Sequence, residues 1–206
     1  MISTQTLFEG YLLSDKTIVC DWKKFERSGV IFIVGLSASG KSTLGKLMSY
    51  HHRIGYVDLD DLDDEIINYH EEKLNVEELP DYYFYNEDGM KKFYETMNIL
   101  VKDKIKRDKH LVIEGIGIAK MFEYNLGKQI LKNNSVIFLG TSMLRSALRG
   151  IPRNIGMGST VKGAATMFTL GNREIKNQIH EFKKWRLNVP NTNVRPFNIH
   201  SLVPND

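Results

Sequence analysis

The chain has 206 residues, 28 Lys+Arg against 25 Asp+Glu, a net charge of +3 and 42% apolar residues, which describes an ordinary globular chain and excludes a fibrous or disordered one. Its longest apolar runs, such as Val30–Leu36, fall far short of the roughly 20 residues that span a bilayer, so no membrane association is expected. No basic stretch leading into an apolar run marks a secretory start, and the single cysteine, Cys20, excludes an internal disulfide framework, so a reducing, cytoplasmic compartment is expected.

The charge is uneven. From Ile54 to Glu95 there are 14 acidic and 3 basic residues; from Thr141 to Asp206 there are 10 basic and 3 acidic. Two solvated faces would explain this, and so would an acidic metal- or substrate-binding half opposite a phosphate-binding basic half.

Thr6–Leu13 and Thr17–Trp22 are β-prone runs around Ser14-Asp15-Lys16 and predict a hairpin, so residues 1–29 read as a lead-in to a main domain over 30–206. Val30–Gly35 is an unbroken β-branched run and predicts a buried strand. Lys41–Tyr50 predicts a helix, Gly55–Leu59 a second strand and Asp61–Asn75 another helix. Pro80–Asp88 is an aromatic loop within an acceptor or lid segment around 76–90. Gly89–Arg107 carries Phe93, Met97, Leu100, Val101 and Ile105, a stripe of helical period. Leu111–Gly115 and Ser135–Gly140 predict two more buried strands, with a helix over Ala119–Asn133 between them. Met143–Arg149 opens a helix that Gly150 and Pro152 are expected to end, within a second lid segment around 143–165. Gly156–Gly163 is glycine-rich, Thr166–Leu187 contains a long basic helix, and Val194–Ile199 is a candidate last strand. Apolar strands alternating with helices describe an α/β fold of three layers, a parallel sheet with helices on both faces.

The strongest motif is Gly35-Leu36-Ser37-Ala38-Ser39-Gly40-Lys41-Ser42, which fits G-x-x-x-x-G-K-[ST] between a predicted strand and a predicted helix. The glycines let the backbone turn tightly and aim N–H groups at phosphate oxygens, and the following helix adds the positive end of its dipole. Gly35, Ser37, Ala38, Ser39, Gly40, Lys41, Ser42 and Thr43 are therefore candidate nucleotide-binding residues. Lys41 would reach the β- and γ-phosphates of ATP, and the Ser42 hydroxyl would face Mg²⁺.

Asp58 and Asp60 lie two apart at the end of the second strand, where a parallel sheet opens onto its ligand crevice. One carboxylate there can hold a metal's water shell and the other can take a proton from an acceptor hydroxyl. Asp63 and Asp64 follow where a helix begins, and suit capping and the helix dipole. Glu114 ends the third strand in Leu111-Val112-Ile113-Glu114-Gly115; a carboxylate at that position is a candidate Mg²⁺ ligand, because a buried one without a partner is costly. Arg145, Arg149 and Arg153 follow the fourth strand at intervals of four and are candidates to neutralise charge on a transferring phosphoryl group.

These motifs resemble the nucleotide- and shikimate-kinase-like branch of P-loop kinases, from about Val30 to Arg153. The resemblance implies transfer of the γ-phosphoryl of ATP to a small acceptor under a closing lid. It implies Asp58 near the metal, Asp60 near the acceptor hydroxyl, Glu114 at the Walker B position and Arg145, Arg149 or Arg153 as lid or triphosphate arginines. The chain also departs from that branch. Shikimate and nucleoside monophosphate kinases hold an anionic acceptor with arginines after the second strand, whereas no arginine lies between Arg53 and Arg107 here. Tyr82, Tyr83, Phe84 and Tyr85 stand there instead, residues that suit a flat, uncharged acceptor such as a nucleobase, or that close a small core under a loop. The helix with Arg173, Lys176, Lys183, Lys184, Trp185 and Arg186 could track a DNA strand or be a solvated face. Virus-encoded kinases of 5-hydroxymethyluridine in DNA have matching requirements. The expected function is an ATP- and Mg²⁺-dependent kinase of a nucleoside-type acceptor, free or in DNA. The alternatives are a shikimate-type metabolite kinase and a nucleotide-binding regulator without catalysis.

Overall fold

A computed structural model describes residues 29–74, 87–140, 143–156, 160–166, 172–187 and 194–198. The hairpin expected within residues 1–29 and the aromatic run Tyr82–Tyr85 fall outside the described residues. The elements are β1 (Val30–Gly35), α1 (Lys41–His52), β2 (Gly55–Asp58), a 3₁₀ turn (Asp60–Leu62), α2 (Asp63–Leu74), α3 (Glu87–Arg107) and β3 (Leu111–Glu114). They continue with α4 (Ile118–Met121), α5 (Asn125–Lys132), β4 (Ser135–Gly140), α6 (Met143–Gly156), α7 (Val161–Thr166), α8 (Asn172–Leu187) and β5 (Val194–Asn198).

The five strands form one sheet in the order β2-β3-β1-β4-β5, and every neighbouring pair is parallel. Successive side chains of a strand face opposite ways, and β1 shows the consequence for a sheet covered on both sides. Ile31 and Ile33 pack with Leu44, Leu47 and Met48 of α1. Val30, Phe32 and Val34 pack on the other face with Ile66 of α2, Phe93 and Met97 of α3, Met121 of α4, Leu131 of α5 and Phe182 of α8. The expected three-layer α/β fold is therefore present. Among the described residues, no helix is long and apolar enough to cross a membrane.

Two local expectations differ from the structure. The helix expected over Ala119–Asn133 is two helices, because Tyr124 turns extended (φ −103°, ψ 145°) between α4 and α5. Gly127 is needed there, since a Cβ would collide with the carbonyl oxygen of Met121. The helix from Met143 does not end at Gly150 or Pro152; it runs to Gly156, so Arg153 belongs to it. A proline removes a single N–H from the ladder, and the four residues behind Pro152 complete another turn. The basic helix expected within Thr166–Leu187 is there as α8, over Asn172–Leu187, after α7 ends at Thr166.

An aromatic cluster holds α8 to the sheet. The Phe182 ring lies 5.3 Å from Phe122, 5.2 Å from Phe138 and 5.9 Å from Trp185, and its side chain is fully buried. Trp185, which interrupts the basic residues of the helix expected to track a DNA strand or to be a solvated face, packs in this cluster against Phe122 and Phe182. Phe182→Ala should cost about 3–5 kcal/mol of stability, because it leaves a cavity under α8. Denaturant unfolding followed by far-UV circular dichroism checks it: a loss under about 1 kcal/mol would mean that α8 is not anchored by this ring.

Candidate active site

β1 ends in a loop that fills the G-x-x-x-x-G-K-S motif. Gly40 caps α1 with φ 95°, and Ala38 has φ 54°. Ala38 is thus a non-glycine residue in the left-handed region, a conformation that costs roughly 1–2 kcal/mol and needs outside support. The turn is tied by the Ser39 N–H to the Leu36 carbonyl oxygen at 3.1 Å, and Lys41 Nζ donates to the same oxygen at 3.1 Å. Lys41 is buried, so its charge is held inside the loop and not lost to solvent. The Ser39 hydroxyl is fully buried with no hydrogen-bond partner. Phosphate oxygens supply acceptors for such a cradle of N–H and O–H groups, so the loop fits a nucleotide.

The neighbouring strand ends carry the carboxylates. Parallel register sets Asp58 of β2 opposite Glu114 of β3, and Glu114 opposite Ile33 of β1. Glu114 is 1% exposed. Burial pushes its carboxyl above the usual range, while the Ser42 hydroxyl, Lys41 and Tyr56 draw it back. The Tyr56 hydroxyl donates to Glu114 Oε1 at 2.9 Å. That tyrosine needs Gly45 of α1 beneath it: a Cβ at Gly45 would sit 2.7 Å from the ring. Burial and the nearby Glu114 push the Tyr56 phenol strongly up, so it stays a neutral donor. Sequence reading missed Tyr56, although its spacing of two from Asp58 on one strand was the available signal.

Beyond Asp58 the chain leaves the sheet. Asp58 Oδ1 accepts the backbone N–H of Asp60 at 3.1 Å where the chain enters the 3₁₀ turn, whose N-cap, Leu59, makes no side-chain cap bond. Asp60 is exposed at the rim. Asp63 opens α2, half-buried, and its carboxyl is pushed up to about 6 by burial and by Asp60, Asp64 and Asp58. Gly115, at φ +151°, lets the chain turn away after Glu114; a Cβ there would lie 2.7 Å from Leu59 Cβ.

Among the described residues no three His, Cys, Asp or Glu side chains form a metal cage. Ser42, Asp58 and Glu114 are hard oxygen donors, which suits Mg²⁺: it is bound by one or two carboxylates together with substrate phosphates and waters. The structure gathers Lys41, Ser42, Asp58 and Glu114 at one edge, with Asp60 next along the chain. Arg145, Arg149 and Arg153 stand one turn apart on α6. Arg173, Lys176 and Lys184 are exposed on α8.

No known protein-family profile and no curated relative matches the chain. Solved structures do. It is similar to shikimate kinase from Acinetobacter baumannii in complex with shikimate, at 16% identity and TM-score 0.51 over 88% of this chain and 90% of that one. It is also similar to a candidate fructose transport system kinase from Silicibacter sp. TM1040, at 16% identity and TM-score 0.52 over 80% and 95%. TT1252 from Thermus thermophilus matches at 16% and TM-score 0.50 over 84% and 91%. The fold is the shikimate-kinase-like P-loop fold.

The acidic rim has a pH consequence. Asp63 binds its proton more tightly folded, with a value of about 6, than unfolded, near 3.9. Its contribution to stability is therefore present in full below about pH 4 and is lost as pH rises through 6. Asp63→Asn should narrow the fall in thermal midpoint between pH 4.5 and pH 8. A fall as steep as in the wild type would show that Asp63 is not crowded by its neighbours.

Proposed function

We propose that this protein is an ATP- and Mg²⁺-dependent kinase that transfers the γ-phosphoryl group to a hydroxyl of a nucleoside-type acceptor, free or within DNA. One observation carries the phosphotransferase reading: the phosphate loop with buried Lys41 stands beside strand ends that present Glu114 and Asp58 in register. Mg²⁺ would neutralise phosphate charge beside Ser42, Asp58 and Glu114. Lys41 and the loop N–H groups orient the triphosphate for in-line attack. Asp60, exposed at the rim, takes the proton of the acceptor hydroxyl as its oxygen attacks the γ-phosphorus and the bond to the β-phosphate oxygen breaks, leaving ADP. Arg145, Arg149 and Arg153 are the candidates to stabilise the charge in flight.

Lys41→Ala should abolish phosphoryl transfer with the fold intact. Asp60→Asn should lower turnover by about 10²-fold while ATP still binds. Transfer of radiolabelled γ-phosphate to nucleosides, shikimate-like acids, and plain or hydroxymethylated DNA is the direct test. ATP binding without transfer to any acceptor would favour a nucleotide-binding regulator. A near-wild-type Asp60→Asn with a dead Asp58→Asn would exchange the two roles.

The nucleoside-type acceptor rests on the segment between Arg53 and Arg107, which has four consecutive aromatic residues, Tyr82–Tyr85, and no arginine. Stacking recognises a base without needing an anion. The fold likeness suits a small-metabolite kinase of the shikimate type equally well; the missing arginine speaks against an acidic metabolite. A virus-type kinase of 5-hydroxymethyluridine in DNA would add the exposed basic face of α8 as the strand's track. Of single alanines at Tyr82, Tyr83, Phe84 and Tyr85, at least one should weaken acceptor affinity about 5- to 150-fold and leave ATP affinity unchanged; no effect from any of the four would exclude recognition by stacking. Charge reversal at Lys183 and Lys184 should weaken a DNA acceptor and flatten its salt dependence, and spare a free nucleoside. Equal effects on both acceptors would exclude the polymer reading.

A further inference from the structure

The phosphate loop is tied to a part of the chain more than a hundred residues away. The Ser146 hydroxyl, on the first turn of α6, donates a short hydrogen bond to the carbonyl oxygen of Ser37. Asn172, the first residue of α8, donates its Nδ2 to Ser146 Oγ at 3.0 Å. Both side chains are buried, at 0% and 2% exposure.

Proton counting fixes the direction of this chain of bonds. A backbone carbonyl can only accept, so the single hydroxyl proton of Ser146 is committed to Ser37. Ser146 Oγ can then only accept, so Asn172 must present its NH₂ group. That orientation leaves Asn172 Oδ1 buried without a hydrogen-bond partner, which is the cost of committing the NH₂ group to Ser146.

The peptide plane supplies the consequence. In a trans peptide the carbonyl of Ser37 and the N–H of Ala38 point opposite ways. Holding the carbonyl toward Ser146 therefore directs the Ala38 N–H away from Ser146. Ala38 is also the residue whose left-handed conformation needs outside support.

We propose that Ser146 and Asn172 are positioning residues for the triphosphate: they hold the Ser37–Ala38 peptide in the orientation that offers the Ala38 N–H to a phosphate, and so couple nucleotide binding to the starts of α6 and α8. The inference rests on the nucleotide-site reading above. It goes beyond it, since neither residue belongs to the loop motif. The coupling has a further effect. Arg145 and Arg149 flank Ser146 on α6, and Arg173 follows Asn172 on α8, so the same two bonds set the backbone of the arginine-bearing elements against the loop.

The test is direct titration of the full chain with a fluorescent ATP analogue and Mg²⁺, alongside thermal unfolding without nucleotide. Ser146→Ala, which removes one oxygen atom, should weaken ATP binding roughly 3- to 10-fold, and Ser146→Thr, which keeps the hydroxyl, should bind within about twofold of the wild type. Asn172→Asp keeps the shape but sets an acceptor against an oxygen with no proton left; it should weaken binding at least as much as Ser146→Ala. The double variant Ser146→Ala/Asn172→Asp should be no weaker than the worse single, because both act through one peptide. Wild-type ATP affinity in Ser146→Ala, equal losses in Ser146→Thr and Ser146→Ala, or additive losses in the double variant would overturn the proposal. If the methyl added by Ser146→Thr unfolds the buried site, Asn172→Asp decides alone, and unchanged affinity there overturns it. Lys41→Ala in the same titration separates the two readings. Binding that Lys41→Ala removes and Ser146→Ala leaves intact overturns the positioning role only; absence of ATP binding in the wild type overturns both.

Discussion

Parallel register is the constraint on which the site depends. In a parallel sheet every strand ends at the same edge, so polar residues that close separate strands collect in one place. Asp58 pairs with Glu114, and Glu114 with Ile33, two residues before the phosphate loop begins. A slip of one residue in β3 would turn Glu114 to the other face and put an apolar neighbour beside Ser42. Glu114 is held in that register although burying a carboxylate is costly. Tyr56 offsets part of the cost with its hydrogen bond, and Gly45 offsets part of it indirectly by leaving room for the tyrosine ring.

The core and the site divide the work. Two apolar layers grip β1 from both faces, with α1 on one side and α2, α3, α4, α5 and α8 on the other. That grip gives the loop after β1 a fixed base on which a left-handed Ala38 can persist. Strain of this kind survives where surrounding structure over-determines the backbone. Here the surroundings include the buried Ser146 hydroxyl as well as the turn's own hydrogen bonds.

Electrostatics at the rim oppose stability. Asp58, Asp60, Asp63 and Asp64 crowd the 3₁₀ turn and the start of α2, and their mutual repulsion helps to push Asp63 up to about 6. A polyanionic nucleotide brought beside such a cluster needs a cation between them, which is the physical reason to expect Mg²⁺ at this edge. Active sites commonly accept a destabilising charge arrangement of this kind in return for function.

The sequence by itself determined the fold class and the phosphate loop. Unbroken runs such as Val30–Gly35 can be buried on both sides only in a covered parallel sheet, and the loop motif acts through backbone N–H groups whose geometry is local. It also placed Asp58 and Glu114 at strand ends, because strand length and register follow from the same apolar runs. Helix ends were less legible. Pro152 lies exposed inside α6, which loses a single backbone N–H there, and Tyr124, stacked on Tyr94, breaks the helix expected over Ala119–Asn133. What only the tertiary structure decided are the contacts between distant segments: the Tyr56 bond to Glu114, the placement of Trp185 in an aromatic cluster, and the run from Ser37 through Ser146 to Asn172. A serine and an asparagine carry no pattern of their own. Their roles arise when the chain folds a helix start against a loop 109 residues away, and that adjacency is a property of the packed sheet and not of any window of sequence.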